Sequence, residues 1–131
     1  MEHTELNGLA QHAVDLKHNG RNCCQAVVEA LAKQEGIQSE LLSLMTAGFG
    51  VGMGNMEATC GSLVGANMIA GLKTQGRGTI MKSRQLSETF QKKCGAITCK
   101  ILKGNDTGTV LCPCDDCVRN AVLSYAEVLG L

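Results

Sequence analysis

Aromatic side chains are almost missing from this 131-residue chain, which has Phe49, Phe90 and Tyr125 and no tryptophan. So sparse a set offers no stacking platform for single-stranded nucleic acid. An excess of one charge is lacking too. Twelve Lys plus Arg balance twelve Asp plus Glu, and no block of five like charges occurs, so a nucleic-acid or acidic partner gains no support. No apolar run approaches the ~20 residues that a membrane span needs, and no charged, apolar leader for secretion opens the chain. The expectation is a cytoplasmic protein with no nucleic-acid partner and no membrane span.

Cysteine is what the chain has in quantity, with eight of them, about 6% of its residues. That stays under the ~8 to 10% of small secreted disulfide scaffolds. A chain of this length also buries roughly two-thirds of its unfolded surface without staples. In a reducing compartment, clustered cysteines are metal ligands or redox thiols more often than bridges.

Apolar periodicity predicts helices nearly throughout. Leu6, Leu9, Ala10, Ala13 and Val14 follow one helical face, which Gly20 stops. Asn22 suits the cap of a second helix, with Cys23, Ala26, Val27, Ala30 and Leu31 as its inward stripe and Gly36 as its stop. A third helix is expected over residues 40–47, carrying Leu41, Leu44 and Met45. The alternating glycines of 48–55 cost too much backbone entropy for helix or strand and predict a tight loop. They lack the pattern of a phosphate cradle.

Helix resumes near Cys60 and runs to about Leu72, where Gly61, Gly65 and Ala66 permit close backbone approach. A linker follows at 73–78. A long amphipathic segment then starts at Thr79 and continues or kinks at Gly95 up to Gly104. A last helix after Pro113 has Cys114, Cys117, Val118, Ala121, Val122, Tyr125, Ala126 and Leu129 on its apolar face. The expected fold is an all-α, single-domain bundle over residues 1–131, of about five to six helices, with the glycine-rich loop before the Cys60 helix.

Cys23, Cys60, Cys99 and Cys117 fall on four different predicted helices or at their starts, which is how a bundle assembles a core site. Four thiolates suit a tetrahedral zinc or an iron–sulfur cluster, both soft acceptors. Cys112, Cys114 and Cys117 form a competing C-x-C-x-x-C set, in which Asp115 and Asp116 oppose thiolate formation by like-charge repulsion. A thioredoxin-type reading lacks its strand–helix–strand context. Cys94 and Cys99 match only half of a plant-type ferredoxin run. Cys60, at a helix start behind a glycine loop, is the candidate reactive thiol because free backbone N–H groups face its sulfur.

Singly, a cysteine on an apolar stripe is a small hydrophobe. Eight together point to a sulfur site. His3, His12 and His18 read as solvated, Glu57 and Glu88 as exposed, and Met45, Met53, Met56, Met68 and Met81 as core or loop packing.

The segments Asn22-Cys23-Cys24-Gln25-Ala26-Val27, Cys60-Gly61-Ser62-Leu63-Val64-Gly65, Cys99-Lys100-Ile101-Leu102-Lys103-Gly104 and Cys117-Val118-Arg119-Asn120-Ala121 together resemble the C_GCAxxG_C_C family of redox-active proteins. The resemblance covers nearly the whole chain. It assigns the four family cysteines to Cys23, Cys60, Cys99 and Cys117, leaving Cys24, Cys94, Cys112 and Cys114 as extras. Ser62 stands where the family usually has alanine, a small-for-small change, and Cys24 could compete with Cys23. The resemblance also implies a relation to the iron–sulfur module of split-Soret cytochromes, although the C-x-x-C-H haem motif is absent here.

Three functions follow as expectations. The first is electron transfer or redox sensing with an iron–sulfur cluster on Cys23, Cys60, Cys99 and Cys117, serving a redox partner protein. The second is thiol–disulfide exchange with Cys60 as nucleophile and no metal. The third is a zinc-bound interaction module. The small-residue helix faces would also suit a homodimer.

Overall fold

A computed structural model describes residues 1–131. Five long helices carry the fold, α1 (His3–His18), α2 (Cys23–Gln34), α4 (Gly61–Thr74), α5 (Thr79–Cys94) and α7 (Cys114–Leu129). Two short ones, α3 (Glu40–Met45) and α6 (Cys99–Lys103), complete it. The fold is all-α, as the periodicity predicts. Its only extended pairing is one antiparallel bridge between Thr59 and Thr98.

Capping explains where α2 begins. The Asn22 side chain accepts from Gln25 N–H at 2.9 Å, and the Gln25 side chain accepts from Asn22 N–H at 3.1 Å, a complete capping box. The Asn22 amide also donates to Ala47 O at 2.9 Å, tying the cap to the glycine segment. Gly36, Gly95, Gly104 and Gly130 all have positive φ just past helix ends.

The core is built on α2 against α4, with α7 across both and α1 and α5 on its flanks. Leu31, Leu63, Ile69, Leu86, Phe90, Val122 and Tyr125 are fully enclosed. α2 and α4 run parallel. Cys23 lies against Gly61, Val27 and Val28 lie against Gly65, and Glu35 pairs with Lys73, a nearly constant offset along both helices. A Cβ on Gly65 would come 2.9 Å from Cys24 O, so glycine sets how close the two backbones lie.

Three expectations need correction. Cys24, rather than Cys23, belongs to the buried stripe of α2; Cys23 is half-buried in its first turn. The third helix ends at Met45, and Leu41, Leu44 and Met45 are 67%, 75% and 55% exposed. A helix this short turns one flank inward, and that flank is filled by Leu42 with the buried Thr46 hydroxyl on Leu42 O. Met53 and Met81 are exposed as well, whereas Met68 packs on the core. The 48–55 segment does turn tightly, as a wide turn over Gly52–Met56 with left-handed backbone at Met53 and Gly54.

At the far end of the bundle the Tyr125 hydroxyl donates to Glu35 at 2.7 Å, and Lys73 reaches the same carboxylate at 3.0 Å. This joins the ends of α2, α4 and α7. The Glu35 side chain is only 9% exposed, so it depends on these two partners. Tyr125→Phe should lower stability by about 1 to 2 kcal/mol. Urea unfolding should show a reduced midpoint at unchanged slope; an unaltered midpoint would mean the bond contributes nothing.

Candidate metal centre

Four helices begin at one place. Cys23 is the first residue of α2, Cys60 the N-cap of α4, Cys99 the first residue of α6 and Cys114 the first residue of α7, with Cys117 one turn further on. Cys23, Cys60, Cys99, Cys114 and Cys117 line a single small cavity of about 10 Å³ together with Ser62, Leu102 and Lys103. All four cysteines expected from the sequence therefore face one space. Cys114, expected to be surplus, joins them.

Local backbone chemistry sets each sulfur. Cys60 N–H donates to Ile97 O at 2.7 Å and Cys99 N–H to Ala58 O at 3.0 Å, which holds the chain entering α4 beside the chain entering α6. Gly52, at φ +55, leaves room for Cys99, whose Cβ would stand 2.6 Å from a Cβ at position 52. Gly61 leaves room for Cys23; a Cβ there would meet Phe49 O at 2.6 Å and Cys23 Sγ at 2.8 Å. Val51 is held at φ 56, ψ 43, a costly region for a β-branched residue, and its backbone supports the Cys23 thiolate.

The thiols do not share one electrostatic environment. Cys60 is drawn down to about 6, first by the adjacent Cys117 thiol and then, against burial, by the N–H groups of Ser62 and Leu63 and the Ser62 hydroxyl. No conventional side-chain cap bond forms at Cys60, because sulfur is a weak acceptor. The Ser62 hydroxyl is fully buried and otherwise without a hydrogen-bond partner. Burial pushes Cys23 and Cys99 up; Val51 partly offsets it at Cys23 and the Lys103 charge at Cys99.

Lys103 is the cation of the site. Its ammonium pairs with Cys114 Sγ, and although burial disfavours its charge, that sulfur together with Cys99 and Cys23 raises its pKa. The repulsion expected from Asp115 and Asp116 is largely taken up elsewhere. Asp115 pairs with Lys17 at 3.0 Å and His18 at 2.8 Å, and Asp116 with Arg119 at 3.0 Å.

A second group of sulfurs adjoins the cavity. Cys94, Cys112 and Cys117 are all buried, and their sulfurs lie within 4.8 Å of one another, a set that could hold a metal ion. Asn120 donates to Cys94 Sγ at 3.4 Å and to Cys112 Sγ at 4.0 Å. Cys117 belongs to both groups: hydrogen bonding to its thiol is the main cause that draws Cys60 down, and the main one that brings Cys94 to about 7. Burial pushes Cys112 up to about 12. Cys24 takes no place in the cavity, and burial raises it to about 12 as a core residue.

The sequence offers Cys114 only within the competing C-x-C-x-x-C set, and its motifs miss Lys103, whose signal is its place four residues after Cys99 on one helical face. Of the other candidates, Glu57 is exposed and pairs with Lys100 at 3.0 Å, and Glu88 is exposed.

A family model described as "Putative redox-active protein (C_GCAxxG_C_C)" matches residues 21–128. No curated protein and no solved structure matches the chain.

Gly61→Ala separates packing from propensity, since alanine favours a helix by about 1 kcal/mol over glycine. The clash should dominate, with a net loss of about 1 to 2 kcal/mol, and alkylation of Cys23 in reduced protein should speed up several-fold. Raised stability with unchanged Cys23 labelling would contradict the close packing.

Proposed function

Because the chain belongs to the C_GCAxxG_C_C family of redox-active proteins, we propose that it is an electron-transfer or redox-sensing protein whose cysteine cavity takes an iron–sulfur cluster. The observation that carries this reading is the convergence of five cysteines from three helix starts and one short helix on one buried space. The donor set fits, since soft thiolates suit iron and zinc alike. Cys23, Cys60 and Cys99 would hold the group, with α7 supplying the fourth thiolate. Cys117, the residue that the family pattern selects, and Cys114 both line the cavity from that helix.

When bound, such a group supplies one-electron exchange. The chain's own residues govern how readily. Lys103 offsets thiolate charge at Cys114, while the Val51 backbone supports Cys23 and the Ser62 and Leu63 N–H groups support Cys60. Such donors to sulfur raise a reduction potential, and burial of the surrounding wall restrains solvent access. Leu102, 1% exposed, closes one side.

The size of the cavity favours a second reading. About 10 Å³ is room for one water-sized body, so a single zinc enters with little movement, whereas a cluster needs the walls to part.

Anaerobic purification followed by iron, zinc and acid-labile sulfide analysis tests both. Iron and sulfide together, lost in Cys60→Ser with helicity retained, is the expected result. Zinc without sulfide would establish the second reading, and binding unaffected by Cys60→Ser would defeat both.

A further inference from the structure

We propose that the cysteines form two adjoining compartments that share Cys117, so that the folded chain binds a second, soft metal ion of the zinc class on Cys94, Cys112 and Cys117. These three come from the end of α5, the loop before α7 and the first turn of α7. Each is 4% exposed, and their sulfurs lie within 4.8 Å. Metal–sulfur bonds of about 2.3 Å put the sulfurs of one ion about 4 Å apart, so only a small contraction is needed.

The position of Cys117 points the same way. Its S–H donates to Cys112 O at 3.5 Å, and its sulfur lies within 4.8 Å of those of Cys94 and Cys112 while it also lines the cavity of Cys23, Cys60 and Cys99. A bridging thiolate binds two metal ions through separate lone pairs.

Asn120 adds the outer support that metal-bound sulfurs receive, with its amide toward both Cys94 and Cys112. Lys103 pairs with Cys114 across the first cavity, and on this side the Arg119 charge is engaged by Asp116. Three buried thiolates therefore require a multivalent ion. The thioether-free, all-thiolate set selects a soft one.

This inference leans on the proposed centre only for the bridging role of Cys117; the second compartment can exist without the first. The test uses reduced, metal-free full-length protein and cadmium as the probe, followed by sulfur-to-metal absorbance, bound-metal analysis and cadmium NMR. Wild type should bind two ions per chain with mutually coupled resonances. Cys94→Ser/Cys112→Ser should bind one, and Cys23→Ser/Cys99→Ser should also bind one.

A wild-type stoichiometry of one, or two ions retained after Cys94→Ser/Cys112→Ser, overturns the second compartment. Loss of all binding in Cys23→Ser/Cys99→Ser also overturns it while leaving the proposed centre intact. Loss of all binding in Cys94→Ser/Cys112→Ser instead counts against the first cavity. Two uncoupled resonances overturn the shared thiolate. Should the serine pair unfold by circular dichroism, Cys94→Ala/Cys112→Ala, which buries no unpaired hydroxyl, is read by the same outcomes.

Discussion

The parallel packing of α2 on α4 is the constraint on which the rest depends. Gly65 removes the side chain that would hold these backbones apart, since a Cβ there would approach Cys24 O at 2.9 Å, and Gly61 leaves room for the Cys23 sulfur, which a Cβ would meet at 2.8 Å. Parallel alignment places both N-termini at one end, and α7 adds a third. Their dipoles would repel one another if that end were empty of charge. Cysteine at or beside the first turn of each helix places an ionisable sulfur where the dipoles favour negative charge.

Both ends of the bundle follow from this arrangement. The helix starts gather sulfur, and the other ends of α2, α4 and α7 gather Glu35, Lys73 and Tyr125. The second group is a conventional satisfied polar cluster. It fixes the relative heights of the three helices, and thereby the heights of Cys23, Cys60 and Cys114 at the opposite end. Glycine also acts at longer range: Gly52 and the left-handed Val51 bend the 48–56 segment over the cavity, aligned against Cys99 and Cys23.

What the sequence made legible follows from how local each signal is. The long helices could be read because their stripes repeat over many turns, and Asn22 could be read as a cap by its residue type. The convergence of Cys23, Cys60 and Cys99 could be read because each opens a helix behind a turn. Orientation about a helix start could not: neighbouring Cys23 and Cys24 both fit an apolar beginning, and only the packing of α4 decides that Cys24 is buried in the core. In the same way, Cys112, Cys114 and Cys117 look like one tight ligand set along the chain. The turn into α7 splits them, sending Cys114 to Lys103 and Cys112 to Cys94. Nor does any residue type announce that the buried Ser62 hydroxyl would face Cys60 inside the wall.

The thiols of the array compete with one another. Cys60 and Cys94 both favour the thiolate form, and both do so by taking hydrogen bonding from Cys117, whose own ionisation is thereby strongly opposed. Satisfying one weakens the other. Burial at the same time holds Cys23, Cys99 and Cys112 in the thiol form, and one lysine is the only cation in the cavity wall. Such half-satisfied polar networks are costly in a core, and the sulfurs of Cys94, Cys112 and Cys117, within 4.8 Å of one another, could hold a metal ion in place of the contested protons.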